Sequence, residues 1–172
     1  MPIKNKTVKT KVLHHSDIEK IIKRMAYQIY ENNFGDKYIT LVGISSRGFE
    51  IAKLLQSELN LISNLKSNLL EITIEKENPS VDTTVIKPLK FEIKGTVVVV
   101  DDVLNTGRAM VYALLPFLSL KAPKIQVAVL VDRNHKKFPV AADYTGIQLN
   151  TTFQEHVSVE INRKKQFDVY LQ

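Results

Sequence analysis

Four consecutive valines, Val97 to Val100, lead directly into two adjacent aspartates, Asp101 and Asp102. A continuous run of β-branched apolar residues is typical of a strand buried on both faces, so this run predicts the centre of a parallel sheet. A Thr-Gly pair follows at residues 106 and 107, and a helical pattern begins at about Thr106. Because ligands bind outside the carboxyl ends of the strands in open α/β sheets, the two aspartates are predicted to lie beside a ligand.

The loop after the aspartates has the features of a phosphate site. Backbone N–H groups at the start of a helix lack helical partners and carry a partial positive charge, which suits a phosphate. Two carboxylates beside such a start favour a ligand with both hydroxyl and phosphate groups, such as a sugar phosphate. The alternative is a solvated acidic turn and an ordinary helix cap, but the strand, loop and helix context favours the ligand site.

A second candidate loop follows the predicted strand Tyr38–Ile44, and its residues are Ser45, Ser46, Arg47 and Gly48. Small residues let the backbone approach a ligand, hydroxyl groups donate hydrogen bonds, and the arginine offers a planar fork of donors for phosphate. The alternative is a simple turn with a surface arginine. A helix is predicted to begin at Gly48 and to bury Phe49, Ala52, Leu55 and Leu59.

Other segments continue the alternation of strands and helices. Ser16 and Glu19 predict a capping box at the start of the first helix. The helix after the central motif is predicted to kink or end at Pro116, and its buried face to comprise Val111, Leu114, Leu115 and Leu118. Further strands are predicted at residues 69–75, 125–131, 156–161 and 167–171.

The stretch from Val97 to Arg108 resembles the phosphoribosyl-pyrophosphate signature of the type I phosphoribosyltransferases. Within that superfamily, residues 41–48, 128–133 and 143–146 resemble the pyrimidine operon regulator / uracil phosphoribosyltransferase family in their order and spacing. The resemblance runs from about Ser16 to the C-terminus. It implies the type I phosphoribosyltransferase fold, an α/β fold with a mainly parallel central sheet flanked by helices and with a small hood.

The resemblance implies a pentosyltransferase that binds 5-phosphoribosyl 1-pyrophosphate with magnesium. Such an enzyme transfers the phosphoribose to a nucleobase, with uracil favoured here, and releases pyrophosphate. Asp101 and Asp102 are implied as the catalytic residues, which hold the ribose hydroxyl groups. The residues implied to contact phosphoribosyl pyrophosphate are Ser45, Ser46, Arg47, Gly48, Asp101, Asp102, Val103, Leu104, Asn105, Thr106, Gly107 and Arg108.

The same resemblance assigns the base side of the site to Val131, Asp132 and Arg133, and a magnesium contact to Asp102 and Asp132. From the residues alone, Asp132 has an equal alternative as a loop carboxylate that pairs with Arg133 or Lys136. No histidine has a partner at zinc-ligand spacing, so no zinc role is predicted for His14, His15, His135 or His156.

The chain departs from the family's pattern at several positions. Asn105 stands where purine-using relatives have an acid and the pyrimidine regulators a tyrosine, and asparagine cannot act as a general base near neutral pH. Ala109 stands where a serine or threonine is usual. The family's flexible lid begins with Tyr-Arg-Asp-Asp, whereas this chain has Glu75-Lys76-Glu77-Asn78, and lysine lacks the bidentate fork of arginine. These changes leave binding in place and lower the expected rate.

Two alternatives to a transferase remain open. The first is an RNA-binding regulator of pyrimidine genes, because the resembled family contains both activities in one protein. It ranks below phosphoribosyl transfer, since the family's arginine after Phe-Pro-Val is Ala141 here and no cluster of aromatic residues offers stacking to RNA bases. The second is a catalytically weak sensor of phosphoribosyl pyrophosphate.

The whole chain, residues 1–172, is predicted to form a single domain. Residues 1–12 are predicted to form a loose basic arm or a first edge strand, and residues 143–172 to contribute the hood and the last strands. The absence of cysteine excludes disulfides, thiolate metal sites and a cysteine nucleophile. No segment resembles a signal peptide or a membrane span, so a cytoplasmic protein with no membrane partner is expected. The resembled family implies a homo-oligomer, a dimer or higher.

Overall fold

The computed structural model describes residues 9–75 and 79–172. Along these residues the chain forms, in order, β1 (Thr10–Leu13), α1 (His15–Asn32), β2 (Tyr38–Ile44), α2 (Ser45–Ile62), β3 (Lys66–Thr73), β4 (Val85–Lys87), β5 (Thr96–Leu104), α3 (Arg108–Ser119), β6 (Ile125–Asp132), β7 (Tyr144–Gln148), β8 (Val157–Ile161) and β9 (Phe167–Leu171). No helix within the described ranges is long and apolar enough to cross a membrane.

A six-stranded sheet with the order β4-β3-β2-β5-β6-β7 forms the centre of the fold. Five of these strands are parallel to one another, namely β3, β2, β5, β6 and β7. The remaining strand, β4, is antiparallel and lies at the edge beside β3. The predicted α/β architecture is therefore confirmed. Because the parallel strands share one direction, the carboxyl ends of β2, β5 and β6 lie along the same edge.

The valine run of β5 is buried on both faces, as its composition predicts. Val98 and Val100 pack into the core under α1 and α2, whereas Val97 and Val99 pack into the core under α3. Full burial of an aliphatic side chain contributes roughly 1.5–3 kcal/mol. The valine run alone therefore contributes on the scale of a whole domain's net stability, which is about 5–15 kcal/mol.

A separate three-stranded antiparallel sheet, with the order β1-β9-β8, forms the smaller part of the structure, called the hood below. Thr10–Leu13 pairs with β9 at the hood's edge, whereas residues 1–8 of the predicted basic arm lie outside the described residues. Within the range 143–172, Tyr144–Gln148 extends the six-stranded sheet, and the two strands after it belong to the hood.

The prediction of a capping box at Ser16 and Glu19 is wrong, because α1 begins at His15. The Asp17 carboxylate accepts a hydrogen bond from the His14 backbone N–H at 3.0 Å and closes the helix start two residues earlier. The His15 ring also accepts a hydrogen bond from the Phe167 backbone N–H at 3.1 Å. This tertiary contact ties the helix start to the hood and moves it upstream of the predicted position.

The start of α2 is also earlier than predicted, at Ser45 rather than Gly48, so β2 passes into the helix without an intervening loop. The first turns of α2 lie so close to β2 that the strand requires glycine near its end, because a Cβ on Gly43 would lie 2.2 Å from the Phe49 Cα. Ala52, Leu55 and Leu59 are buried as predicted, and Phe49 is half-buried.

The buried face of α3 differs from the prediction by one residue. Met110, Ala113 and Phe117 face the sheet, whereas Leu118 is 60% exposed. Apolar residues occupy almost the whole helix, so periodicity could not distinguish the faces, and the exit of the chain from β5 determines which one meets the sheet. The helix continues through Pro116 to Ser119, so of the two predicted outcomes at the proline, a kink or an end, the end is wrong.

The observed buried face of α3 predicts very different losses of stability for substitutions at two adjacent residues. Phe117→Ala should lower the free energy of unfolding by roughly 3–5 kcal/mol, because it opens a cavity in a fully buried site. Leu118→Ala, the matched control, should change it by about 0.5 kcal/mol or less. Urea unfolding followed by circular dichroism measures both variants. A larger loss for Leu118→Ala would show that the predicted face was right.

Candidate functional site

A cavity of about 500 Å³ opens at the carboxyl ends of β2 and β5. Five parts of the chain enclose it: the first turn of α2, the segment after β3, the segment from Asp101 to the start of α3, the residue after β6, and the start of β8. Its wall comprises Ile44, Ser45, Ser46, Arg47, Ile74, Glu75, Pro79, Asp101, Asp102, Val103, Asn105, Thr106, Arg108, Ala109, Arg133, His156 and Val157.

The structure brings most of the sequence-predicted site residues together on this wall. Some of the predicted residues lie behind it instead, and these are Gly48, Leu104, Gly107, Val131 and Asp132. Leu104 and Val131 are buried in the two hydrophobic cores on opposite faces of the sheet. These residues therefore support the site rather than face it.

The two aspartates lie within β5, which runs on to Leu104 because its pairing with β6 continues to Asp132. The strand therefore extends two residues beyond the aspartates, in which it was predicted to end. The Asp101 carboxylate accepts the Asp102 backbone N–H at 2.8 Å, and the Asp102 carboxylate accepts the Val103 backbone N–H at 2.8 Å. These bonds fix both carboxylates at the edge of the sheet.

Arg47 joins the two parts of the site that the sequence separates. It lies in the first turn of α2, and its Nη1 atom is 3.6 Å from Oδ2 of Asp102. The arginine side chain is about half exposed, 49%, so this ion pair opens towards the cavity. The arrangement places a donor fork next to a carboxylate, where a ligand with both phosphate and hydroxyl groups would find complementary partners.

Two glycines shape the wall from behind. A Cβ on Gly48 would lie 2.6 Å from the Val100 carbonyl oxygen, so glycine lets the first turn of α2 rest directly against β5. Gly107 adopts a φ of +84°, in the left-handed region that favours glycine, and it caps the start of α3. Both glycines thus have roles in backbone geometry, and their contacts with phosphoribosyl pyrophosphate stay a prediction.

The segment before α3 presents the start of that helix to the cavity. The Thr106 hydroxyl accepts the Arg108 backbone N–H at 3.3 Å, and the Thr106 carbonyl accepts the N–H groups of Lys137 and Phe138 at 2.9 and 3.1 Å. These bonds hold the turn open towards the cavity. The partial positive charge at the start of α3 suits a phosphate group there.

Asp132 is 3% exposed and is engaged within its own loop. Its Oδ2 atom is 3.0 Å from the Lys136 ammonium, and its Oδ1 atom accepts the Asn134 backbone N–H at 2.8 Å. The structure therefore supports the alternative in which Asp132 is a loop carboxylate paired with Lys136.

Arg133 lines the cavity and is nearly buried. It donates hydrogen bonds to Asn105 on one side and to the segment from Thr151 to Glu155 on the other. The Thr152 backbone N–H, 2.6 Å from the Glu155 carboxylate, lowers the pKa of that carboxyl, and the positive charge of Arg133 adds to the effect. Arg133 thus links β6 to the segment that enters the hood.

Two residues at the start of β8 line the cavity although they were not among the predicted site residues, and these are His156 and Val157. Nothing in the local sequence marks these residues, because only the packing of the hood over the sheet brings them to β5. Glu75 and Pro79 flank the predicted lid, whose Lys76, Glu77 and Asn78 lie outside the described residues.

The chain is similar in sequence to a known family over most of its length. Residues 9–164 match the phosphoribosyl transferase domain. The bifunctional protein PyrR of Oceanobacillus iheyensis is 32% identical over 93% of this chain and 94% of that protein. The bifunctional protein PyrR of Fusobacterium nucleatum is 38% identical over 88% of this chain and 91% of its own length.

Solved structures show the same fold at lower sequence identity. A hypoxanthine-guanine phosphoribosyltransferase from Bacillus anthracis superposes with a TM-score of 0.74 and 18% identity, covering 94% of this chain and 97% of the other. A hypoxanthine phosphoribosyltransferase from Trypanosoma cruzi, in complex with the product IMP, gives a TM-score of 0.71 and 20% identity, covering 86% and 84%. At such identities the likeness establishes the fold alone.

The fold, the matched domain and the identities lead to one assignment. They confirm the type I phosphoribosyltransferase fold and the prediction of a pentosyltransferase. The chain belongs to the phosphoribosyl transferase domain family and, within it, to the family of bifunctional PyrR proteins.

Proposed function

We propose that the cavity binds 5-phosphoribosyl 1-pyrophosphate with magnesium and transfers the phosphoribose to uracil, releasing pyrophosphate. One observation carries the proposal: the Asp101 and Asp102 carboxylates lie between two anion-binding features, Arg47 on α2 and the start of α3. Carboxylates accept hydrogen bonds from ribose hydroxyl groups, and the features on either side suit a pyrophosphate and a 5′-phosphate.

The reaction is a substitution at the anomeric carbon of the ribose. A ring nitrogen of the base forms a bond to C1′, and the bond from C1′ to the pyrophosphate oxygen breaks, with the electron pair leaving on the pyrophosphate. The proton of the ring nitrogen passes to solvent. Because charge develops on the leaving group, donors aimed at the pyrophosphate act in the transition state rather than in the ground state.

The residues of the cavity divide this work by position. Arg47, with Ser45 and Ser46 in the same turn, receives the pyrophosphate, and the start of α3 holds the 5′-phosphate. The base then lies between β6 and the hood, where Arg133, His156 and Val157 line the cavity. We propose uracil as the base because of the resemblance to the pyrimidine family and the sequence identity of 32% and 38% to two PyrR proteins.

The donor set is compatible with magnesium. Hard oxygen ligands suit this ion, which commonly binds through one or two carboxylates together with substrate phosphates and water. Among the described residues no group of three or more His, Cys, Asp or Glu side chains could form a dedicated cage. Asp102 would hold the ion at the substrate, whereas Asp132 is already paired with Lys136. When bound, the ion would neutralise charge on the leaving pyrophosphate.

A regulator that binds RNA is the second candidate, favoured by the word bifunctional in the names of the relatives. Exposed basic residues on the described surface offer charge to such a partner, and these are Lys137, Arg163, Lys164 and Lys165. We further propose a homo-oligomer from the resemblance to this family.

Titration with phosphoribosyl pyrophosphate and magnesium, followed by turnover assays with uracil, hypoxanthine and guanine, tests the proposed enzyme activity. Binding without turnover would indicate a sensor or regulator.

Removing both cavity carboxylates tests the ribose site. The double variant Asp101→Asn, Asp102→Asn should fold normally and lose at least about 100-fold in affinity for phosphoribosyl pyrophosphate, since a hydrogen bond to a charged group contributes about 1.5–3 kcal/mol. Isothermal titration calorimetry with magnesium measures the affinity. Glu92→Gln, the same chemical change on an exposed carboxylate that pairs with Lys94, is the control. Unchanged affinity in the double variant would refute the ribose site.

Arg47 provides a separate test of the pyrophosphate site. Arg47→Ala should weaken binding of inorganic pyrophosphate by about tenfold or more, because it removes a charge-assisted donor pair. The affinity of Arg47→Lys for pyrophosphate should lie between those of the wild type and Arg47→Ala, since lysine keeps the charge and loses the planar fork of donors. Lys53→Ala, which removes a positive charge from the next turns of α2 where the lysine pairs with Glu50, serves as the control. Equal losses for Arg47→Ala and Lys53→Ala would contradict the assignment.

A further inference from the structure

Arg133 determines the orientation of a side chain at the cavity wall. The residue is 5% exposed, and its guanidinium meets several acceptors: Asn105 Oδ1 at 3.3 Å, Thr151 Oγ1 at 3.0 Å, and the carbonyls of Thr152 and Glu155. These partners belong to two segments, the one before α3 and the one before β8. The arginine is therefore held in one position by both segments.

The chemistry of this contact fixes the Asn105 amide. A guanidinium has only donors, so the amide oxygen must face Arg133 and the amide NH₂ must lie on the other side. Asn105 is exposed and lines the cavity, and its NH₂ group has no acceptor among residues 9–75 and 79–172. The two amide hydrogens are thus available to a ligand in the cavity.

The position of Asn105 indicates which part of a ligand it meets. Asn105 is three residues after Asp102, which is proposed to hold the ribose, and its amide oxygen is 3.3 Å from Arg133, on the side proposed to hold the base. A donor at this junction faces the atoms next to the bond between ribose and base. In uracil, the atom next to the reacting N1 is the oxygen of the C2 carbonyl, which is a hydrogen-bond acceptor.

We propose that Asn105 donates a hydrogen bond to the carbonyl oxygen adjacent to the reacting nitrogen of a pyrimidine base, and that Arg133 is the residue that positions it. This inference rests on the proposed phosphoribosyl transfer and adds to it a residue that contacts the base. A site built around a donor discriminates against bases with a weak acceptor or none at the matching place, because the donor is then left unpaired. Purines attached through N9 present the N3 acceptor there, so this contact recognises the pyrimidine carbonyl without by itself excluding purines.

A sulfur-for-oxygen comparison isolates this hydrogen bond. The values of kcat/KM for uracil and 2-thiouracil are measured with the wild-type protein and with Asn105→Ala, since sulfur is a weak acceptor. The ratio of the two values should change by about tenfold on substitution of Asn105. With 4-thiouracil, where the sulfur is remote from N1, the ratio should be the same in both proteins. An identical 2-thiouracil ratio in the two proteins would overturn the inference.

Asn105→Asp distinguishes a donor from a proton acceptor. The aspartate is the same size, still accepts from Arg133, and replaces only the NH₂ group by an oxygen. It should lower kcat/KM for uracil at least as much as Asn105→Ala does. A rate equal to or above that of the wild type would show that an acceptor works at this position and would overturn the inference while leaving the proposed transfer intact. Absence of turnover in the wild type would instead overturn the proposed function, and the inference with it.

The positioning role of Arg133 has its own readout. In the Arg133→Met background, substitution of Asn105 by alanine should no longer change the ratio of kcat/KM for uracil to kcat/KM for 2-thiouracil. The reason is that the amide is no longer oriented. A purely structural role would lower kcat/KM for both bases equally and leave the wild-type ratio in place. Circular dichroism confirms folding, and Arg133→Lys, which retains the charge and one donor, should recover part of the ratio.

Discussion

Burial of β5 on both faces is the constraint on which the rest of the structure depends. A strand with valines on either side needs a layer of helices on each face, and parallel neighbours need helical crossovers between them. These requirements bring the carboxyl ends of β2, β5 and β6 to one edge. The polar residues that end these strands then converge without any contact between them in sequence, and glycine at position 48 allows the first turn of α2 to reach the aspartates.

The two ion pairs at the carboxyl edge of the sheet differ in how easily a ligand can replace one of the partners. The Arg47–Asp102 pair is open to solvent, and such pairs contribute about 0–1 kcal/mol, so Arg47 can exchange its partner for a phosphate at little cost. The Asp132 carboxylate is 4% exposed and already paired with Lys136, and depriving a buried carboxylate of its partner is costly. This difference is the physical reason for proposing that the chemistry takes place at Asp101 and Asp102 and not at Asp132.

Arg133 shows how one buried cation organises several segments. It joins the end of β6, the residue before the phosphate-binding turn and the segment that enters the hood. A guanidinium is well suited to this task because its donors are rigid, planar and numerous. The hood is therefore connected to the site by hydrogen bonds to one residue as well as by its own strand pairing, and Asn105 is fixed in a way that its identity alone does not reveal.

The sequence by itself determined the central strand, the parallel sheet, two segments that meet at the cavity and the family, because these depend on local runs of residues such as Val97 to Asp102 and Ser45 to Gly48. The tertiary structure alone decided the buried face of α3, the start of α1, the partner of Asp132 and the presence of His156 in the wall. Each of these depends on contacts between segments far apart in the chain. Periodicity and spacing report only neighbours along the chain, so they carry no information about which distant group completes a hydrogen bond or covers a face.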